Sequence, residues 1–407
     1  MMKLLSKWLI LTLMINYFFA IPIDAEKINK PNSLLTESVI LMDSKSGQVL
    51  YEKNPNKKMY PASITKVATA IYALEKGKLN DIVTVSKRAR QVDGTRVYLE
   101  EGEKVTLLKL IQGLLINSGN DAGVAIAEHL DGSVERFSDS LNKYLKAEVG
   151  LEHTHFKNPH GLFHPEHVTT ATDIAKLMQY SMNNEKFQSI IATKELEWIG
   201  DAWETTIYNH HKMLGEIPYE GVIGGKNGYV SKSGHTLVTT AERSGLSLIA
   251  VTLNGSYPMD TYMDTIDLFD YGFERFESVK IEKGTEYEDE LGTVYSVSED
   301  FYFTKYKDQD ATVEWVDGSL SVLIGDAPLN TTIPVMKVVN EVEAIEEEAV
   351  VSPSENAQEN GQEPDHLVKA KEKDPANWPM FIVLFVIAAG VVLFAVKKAR
   401  QKDNVEW

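Results

Sequence analysis

Two apolar runs, one at each end of the chain, limit what the rest of it can be. Lys3 and Lys7 precede an apolar stretch from Trp8 to Ala20, followed by Ile23-Asp24-Ala25. A short basic region, an apolar core and a small residue make the pattern of a secretory signal, with the cut expected after Ala25. An uncleaved N-terminal anchor is the alternative, but the run is short for a span. Trp378 to Val396 is almost unbroken apolar sequence, and Lys397, Lys398, Arg400 and Lys402 follow at once. That stretch is long enough to cross a bilayer. Basic flanks stay on the cytoplasmic side, so everything before Trp378 is expected outside the cell membrane. Both ends ask for one topology: a signal over 1–25, a single-pass transmembrane helix over 378–396 and a basic cytoplasmic tail over 397–407.

The 407 residues leave room for two domains between these ends. A net charge of -18 argues against a nucleic-acid partner, which would need a basic face. There are no cysteines, so disulfides and a thiol nucleophile are excluded, while an extracytoplasmic life is not.

Residues 30–275 mix helix and strand signals. Ser38 to Met42 and Gln48 to Tyr51 read as strands joined by a turn at Asp43-Ser44-Lys45-Ser46-Gly47. A helix is expected after Pro61, with Val67, Ile71 and Leu74 on one face and a stop at Gly77. Thr106 suits the N-cap of an apolar helix, Leu107 to Ile116. His235 to Ala241 and Leu246 to Asn254 read as a hairpin turned by Glu242-Arg243-Ser244-Gly245. Residues 276–340 hold short β-prone runs (Phe301-Tyr302-Phe303, Leu320 to Ile324) and no helical period, which predicts a small β domain. Residues 341–377 are rich in Glu, Gln, Asn, Pro and Ser and read as a flexible tether. No internal repeat is found.

Ser63-Ile64-Thr65-Lys66 falls at the start of the Pro61 helix. Residues i and i+3 share a helix face, so the hydroxyl and the ammonium can meet. A serine hydroxyl is a weak nucleophile until a nearby base takes its proton, and a lysine is such a base only when burial or a second cation lowers its pKa. A helix N-terminus adds N–H groups that suit an oxyanion. Ser118-Gly119-Asn120 then interrupts apolar sequence between two helices, the second running from Asp121 to Leu130, and polar groups wedged there need partners. Gly224-Gly225-Lys226-Asn227-Gly228 opens what reads as a strand, where glycines let a ligand backbone approach a sheet edge.

Ser-x-x-Lys, Ser-x-Asn and a Lys-x-Gly in this order resemble the signature of penicillin-binding proteins and class A β-lactamases. The similarity extends to Tyr60-Pro61-Ala62-Ser63-Ile64-Thr65-Lys66, Asn117-Ser118-Gly119-Asn120-Asp121-Ala122, and Asn158-Pro159-His160-Gly161-Leu162 followed by Thr169-Thr170-Ala171-x-Asp173. Over roughly 30–275 the chain resembles the low-molecular-mass D-Ala-D-Ala carboxypeptidases.

The resemblance implies an α/β (α+β) serine transferase domain: an antiparallel sheet covered by helices, with the site between sheet and helices and the small β domain as a pedestal. It implies that Ser63 attacks the carbonyl between the terminal D-alanines of the peptidoglycan pentapeptide stem, with Lys66 accepting its proton. Ser118, bridging Lys66 and Lys226, would pass a proton to the departing D-alanine, and Asn120 would hold the substrate amide. Lys226 would face the terminal carboxylate and help lower the Lys66 pKa, while the N–H groups of Ser63 and Tyr229 would hold the oxyanion at the Gly228 strand. β-Lactams would acylate the same serine, and no cofactor is implied.

Two departures stand out. The third motif usually reads Lys-Thr-Gly, whereas this chain has Lys226-Asn227-Gly228. Asparagine can donate through its amide but is larger and differently aimed, which bears on carboxylate recognition. Many relatives also use a surface-lying amphipathic anchor, where this chain is expected to span. Two rivals follow: a class A β-lactamase, although its second motif usually reads Ser-Asp-Asn, and a non-catalytic wall-binding module marked by Asn227.

Five histidines, His153, His155, His160, His164 and His167, fall in one loop-like stretch. Their spacing lacks a helical zinc pair with its Glu, so no metal site is expected, and solvated histidines are the simpler reading. The loop Asn158–Leu162 is expected to line the base of the site. Aromatics in 301–315 read as the β-domain core, and Glu346-Glu347-Glu348 as part of the tether.

Overall fold

The computed structural model describes residues 31–338, apart from Asn32 and Asp326. The expected signal, tether, span and tail lie outside the described residues. No helix among those described is long and apolar enough to cross a membrane.

A five-stranded antiparallel sheet organises residues up to Arg275. Its strands are β1 (Ser38–Asp43), β2 (Val49–Lys53), β3 (Val222–Val230), β4 (Gly234–Arg243) and β5 (Leu246–Gly255), in the order β2-β1-β5-β4-β3. One face carries helices α1 (Thr65–Lys76), α2 (Leu107–Ile116), α3 (Asn120–Asp131) and α4 (Ala171–Ser181), and the other carries α5 (Pro258–Arg275). Side chains alternate across a strand, so each central strand feeds both cores. Ile40 and Met42 join Ile249, Val251 and Leu253 under the four helices, while Val39 and Leu41 join Leu248 and Ala250 against Leu268 and Phe269 of α5. That double burial explains why β1 and β5 are apolar almost throughout, with no polar face.

Two sequence expectations shift. The sequence suggests a turn over Glu242–Gly245, but Glu242 and Arg243 stay paired with Ser247 and Leu246. Only Ser244 and Gly245 turn, with φ of 48° and 84°, which matches the twist of a two-residue hairpin. The helix expected from Pro61 starts later. Ala62–Ile64 form a tight 3-10 turn and α1 begins at Thr65, because Ala62 takes a φ of 49° that no α-helix admits.

From Phe276 the described chain is built of strands, ending at Val335–Lys337. They close over a separate small core of Ile281, Val297, Phe303, Leu320, Val322 and Ile333. Phe303 supplies the buried aromatic expected in 301–315, and Trp315 is half-buried with its indole N–H donating to the Glu288 carbonyl at 2.9 Å. A polar contact ties this part to the main sheet. The Gln48 carboxamide donates to the Thr304 carbonyl and accepts from the Thr304 N–H, both at 2.9 Å. The Thr304 hydroxyl donates to the buried Asp43 carboxylate at 2.5 Å.

Candidate active site

The tight turn before α1 places Ser63 against the free edge of the sheet. A Cβ on Gly228 of β3 would lie 2.6 Å from the Ser63 nitrogen and 3.0 Å from the Ala62 Cβ, so only glycine lets the edge strand come this close. The Val230 N–H turns inward to the Ser233 hydroxyl, at 3.0 Å. Backbone groups alternate along a strand, so the N–H and C=O of Asn227 and Tyr229 point out from the edge. The strained turn is fastened from below. His167 accepts the Lys157 N–H on Nδ1 at 3.0 Å, which leaves Nε2 as its donor to the Thr65 hydroxyl at 2.8 Å. Thr65 in turn donates to the Ala62 carbonyl at 2.8 Å.

Lys66 is fully buried with its Nζ among three oxygens: Ser63 Oγ at 2.9 Å, Asn120 Oδ1 at 2.7 Å and the His160 carbonyl at 2.8 Å. Burial pushes its ammonium well below the ordinary lysine range, the Lys226 charge pushes the same way, and Asp121 opposes them. Lys226 is also buried, and burial alone lowers it to about 7. Its Nζ donates to the Asn227 carbonyl at 3.1 Å and to Asn227 Oδ1 at 3.3 Å.

The second motif carries a strap that closes one side. Asn120 donates its side-chain amide to the Asp93 carbonyl at 2.6 Å and its N–H to the Thr95 carbonyl at 2.7 Å. Asp121 accepts from Val97 N at 3.0 Å and Leu99 N at 3.1 Å. Asn117 reaches the Arg96 carbonyl at 2.9 Å. Residues 93–99 are thus laced to the turn that bears Ser118, which is buried with a φ of 59°.

Ser63, Lys66 and Asn120 are joined directly, and Gly228 meets the Ser63 backbone. Ser118 is buried in the turn before α3, and the hydrogen bonds of Lys66 and of Lys226 among the described residues do not include it. Lys226 and Asn227 bond to each other. The Asn158–Leu162 loop does line the base, with Asn158 Oδ1 accepting from Gly161 N at 2.7 Å and the Pro159 carbonyl accepting from Thr69 at 2.7 Å.

The reading of the histidines as solvated is corrected for His160 and His167, which are buried. Burial first and neighbouring cations second keep His160 well below its ordinary pKa, and burial takes His167 to about 3. His167 is stacked on Phe156 with ring centroids 4.8 Å apart. Sequence reasoning also missed Thr65, Asp121 and the His160 carbonyl. Asp121 had a visible signal, an acid in the first turn of a helix after a polar break, whereas a carbonyl has no sequence letter.

The family model described as D-alanyl-D-alanine carboxypeptidase matches residues 25–257, more than half of the chain. D-alanyl-D-alanine carboxypeptidase DacF of Bacillus subtilis is 32% identical over 281 residues, 64% of this chain and 71% of that protein. Penicillin binding protein 5 of Haemophilus influenzae superposes with a TM-score of 0.68 and 27% identity, covering 76% of this chain and 98% of the other. D-alanyl-D-alanine carboxypeptidase of Mycobacterium tuberculosis gives 0.57 at 32% identity, covering 61% of this chain and 95% of its own. On motif order, fold and sequence together, the chain belongs to the D-alanyl-D-alanine carboxypeptidase family.

Proposed function

We propose that this chain is a serine-type D-alanyl-D-alanine carboxypeptidase that removes the terminal D-alanine from peptidoglycan stem peptides through an acyl-enzyme on Ser63. The observation that carries the reading is the setting of Lys66. A neutral amine has two N–H groups and one lone pair. Asn120 Oδ1 and the His160 carbonyl accept the two N–H groups, which leaves the lone pair for the Ser63 hydroxyl at 2.9 Å. Burial and the charge of Lys226 favour that neutral form.

Ser63 Oγ gives its proton to Lys66 and attacks the carbonyl between the two D-alanines. The oxyanion is held by the N–H of Ser63 and the outward N–H of Tyr229, donors fixed before the reaction begins. Asn120 has a second amide N–H beyond the one on Asp93, and this faces the substrate amide. Ser118 relays a proton to the departing D-alanine. Its φ of 59° is a backbone cost of a kind that clusters at active sites, which supports a role for it here. Lys226 attracts the terminal carboxylate, Gly228 keeps the strand edge open to the peptide, and water then hydrolyses the ester. A β-lactam, as a strained analogue of the same bond, acylates the same oxygen.

The domain plan supported by this reading is a signal over 1–25, a peptidase domain over 30–275, a β pedestal over 276–340, a tether over 341–377 and an anchor over 378–396. It holds the site outside the cell membrane, within reach of a polymeric wall. The β-lactamase alternative is separated by deacylation: release over minutes to hours marks a peptidase, and over milliseconds a lactamase.

The test is incubation of the ectodomain, residues 26–376, with a fluorescent penicillin, reading intact mass over time beside Ser63→Ala. One slowly lost adduct, absent from the variant, together with D-alanine release from a pentapeptide, is the expected result. An unmodified wild-type protein would sink the reading.

A further inference from the structure

Asn227 stands where the family motif usually has threonine, and the structure gives it a definite job. In its charged form Lys226 Nζ can only donate, so the amide atom turned to it at 3.3 Å is the oxygen, and the carboxamide NH2 faces away. The backbone carbonyl of the same residue takes a second N–H of the ammonium at 3.1 Å. One residue therefore engages two of the three donor directions of Lys226 and puts a carbonyl dipole beside its charge.

A carboxylate accepts hydrogen bonds and has none to give, so it gains from a bare cation and rotatable hydroxyls. The Lys226–Asn227 pair offers something else: an ammonium partly answered by its neighbour, with an amide that presents both an acceptor and a donor. A neutral carboxamide, itself donor and acceptor, complements that arrangement. Its NH2 can donate to Asn227 Oδ1, and its oxygen can accept from Lys226 or from the Asn227 NH2.

Resting on the function proposed above, we infer that Asn227 is a specificity-determining residue that opens the site to leaving residues whose α-carboxyl is amidated, at the expense of selectivity for a free carboxylate. The chemistry at Ser63 is unchanged. The D-Ala–D-Ala amide bond breaks, D-alaninamide leaves with the relayed proton, and water cleaves the ester to return the serine.

The experiment compares two substrates that differ only at the C-terminus: an N-acylated L-Lys-D-Ala-D-Ala free acid and its carboxamide. kcat/KM is measured on both for the wild type, Asn227→Thr and Asn227→Ala, with circular dichroism as the check that each variant folds. The wild type is expected to cleave both. Asn227→Thr is expected to raise the acid-to-amide ratio about tenfold, the size of one charge-assisted hydrogen bond. Asn227→Ala is expected to move the ratio in the same direction by freeing the Lys226 N–H that Asn227 Oδ1 accepts, the backbone-carbonyl hydrogen bond remaining. A ratio that stays within about twofold in both variants overturns the inference. So does a wild type that takes penicillin and releases D-alanine from the acid yet leaves the amide intact, and in that case the proposed function stands. A wild type that takes no penicillin and cleaves neither substrate overturns the function itself.

Discussion

Gly161 packs so tightly on Ala62 that a Cβ there would lie 1.9 Å from the Ala62 carbonyl oxygen and 3.0 Å from the Ser63 nitrogen. Its φ is 89°, in the region that favours glycine. The loop that supplies the His160 carbonyl to Lys66 is thus pressed on the turn that carries Ser63. Gly161→Ala must displace one or the other. We expect penicillin acylation of that variant to slow at least about a hundredfold, because an ångström-scale misplacement of reacting groups has such an effect. Stopped-flow acylation measures it, and a variant that reacts at the wild-type rate would remove the loop from the account.

The two buried lysines predict a bell-shaped pH profile. Lys66 accepts a proton only when neutral, and burial with the Lys226 charge brings its deprotonation well below the ordinary 10.5. The reactive fraction therefore grows as pH rises. Lys226, lowered by burial to about 7, sheds its charge on further rise and with it the attraction for a carboxylate. kcat/KM on the free-acid substrate should climb and then fall above about pH 7. Lys226→Arg keeps its charge and should flatten the descending limb. A wild-type profile still climbing at about pH 9 would contradict this assignment.

Asp121 is a positioning residue for the strap. Its buried carboxylate accepts from Val97, Leu99 and Ala122 N–H groups at 3.0, 3.1 and 2.9 Å. Asp121→Asn turns an NH2 towards one of those donors, leaving a buried mismatch that costs about 1–3 kcal/mol. Thermal unfolding should show a lower midpoint. Acylation should slow as well, since the strap also holds Asn120 through Asp93 and Thr95. An unchanged midpoint would contradict the grip described here.

Thr304→Val removes the hydroxyl that donates to buried Asp43 and leaves the shape intact. A loss of about 1–3 kcal/mol is expected in denaturant unfolding, with Ser63 acylation unaltered because Thr304 lies on the pedestal side. An acylation rate that fell with stability would tie the β part to the chemistry.

Most of the frame was legible in the residues. The β4–β5 hairpin, the Thr106 cap and the helix ending at Gly77 follow local rules of period and turn chemistry, and the structure keeps them. Ser63, Lys66, Asn120 and Gly228 were legible as letters because each motif is short and contiguous. What failed was anything decided by a distant partner. His160 and His167 read as solvated because their stretch lacks periodicity, yet one is buried at the site base and the other is stacked on Phe156. Ser63 was expected on the α-helix proper, and a strained turn held by Thr65 and His167 moved it off.

The sequence alone determined which groups are present: a hydroxyl, two lysines, an asparagine where threonine is usual, and glycines that leave room beside them. Only the tertiary structure decided their charge and aim. The pKa of Lys66 depends on burial and on Lys226, 160 positions along the chain, and its third oxygen is a backbone carbonyl that every residue possesses. Electrostatics and hydrogen bonding act over ångströms in space, and no local pattern in a chain records which distant segments will meet.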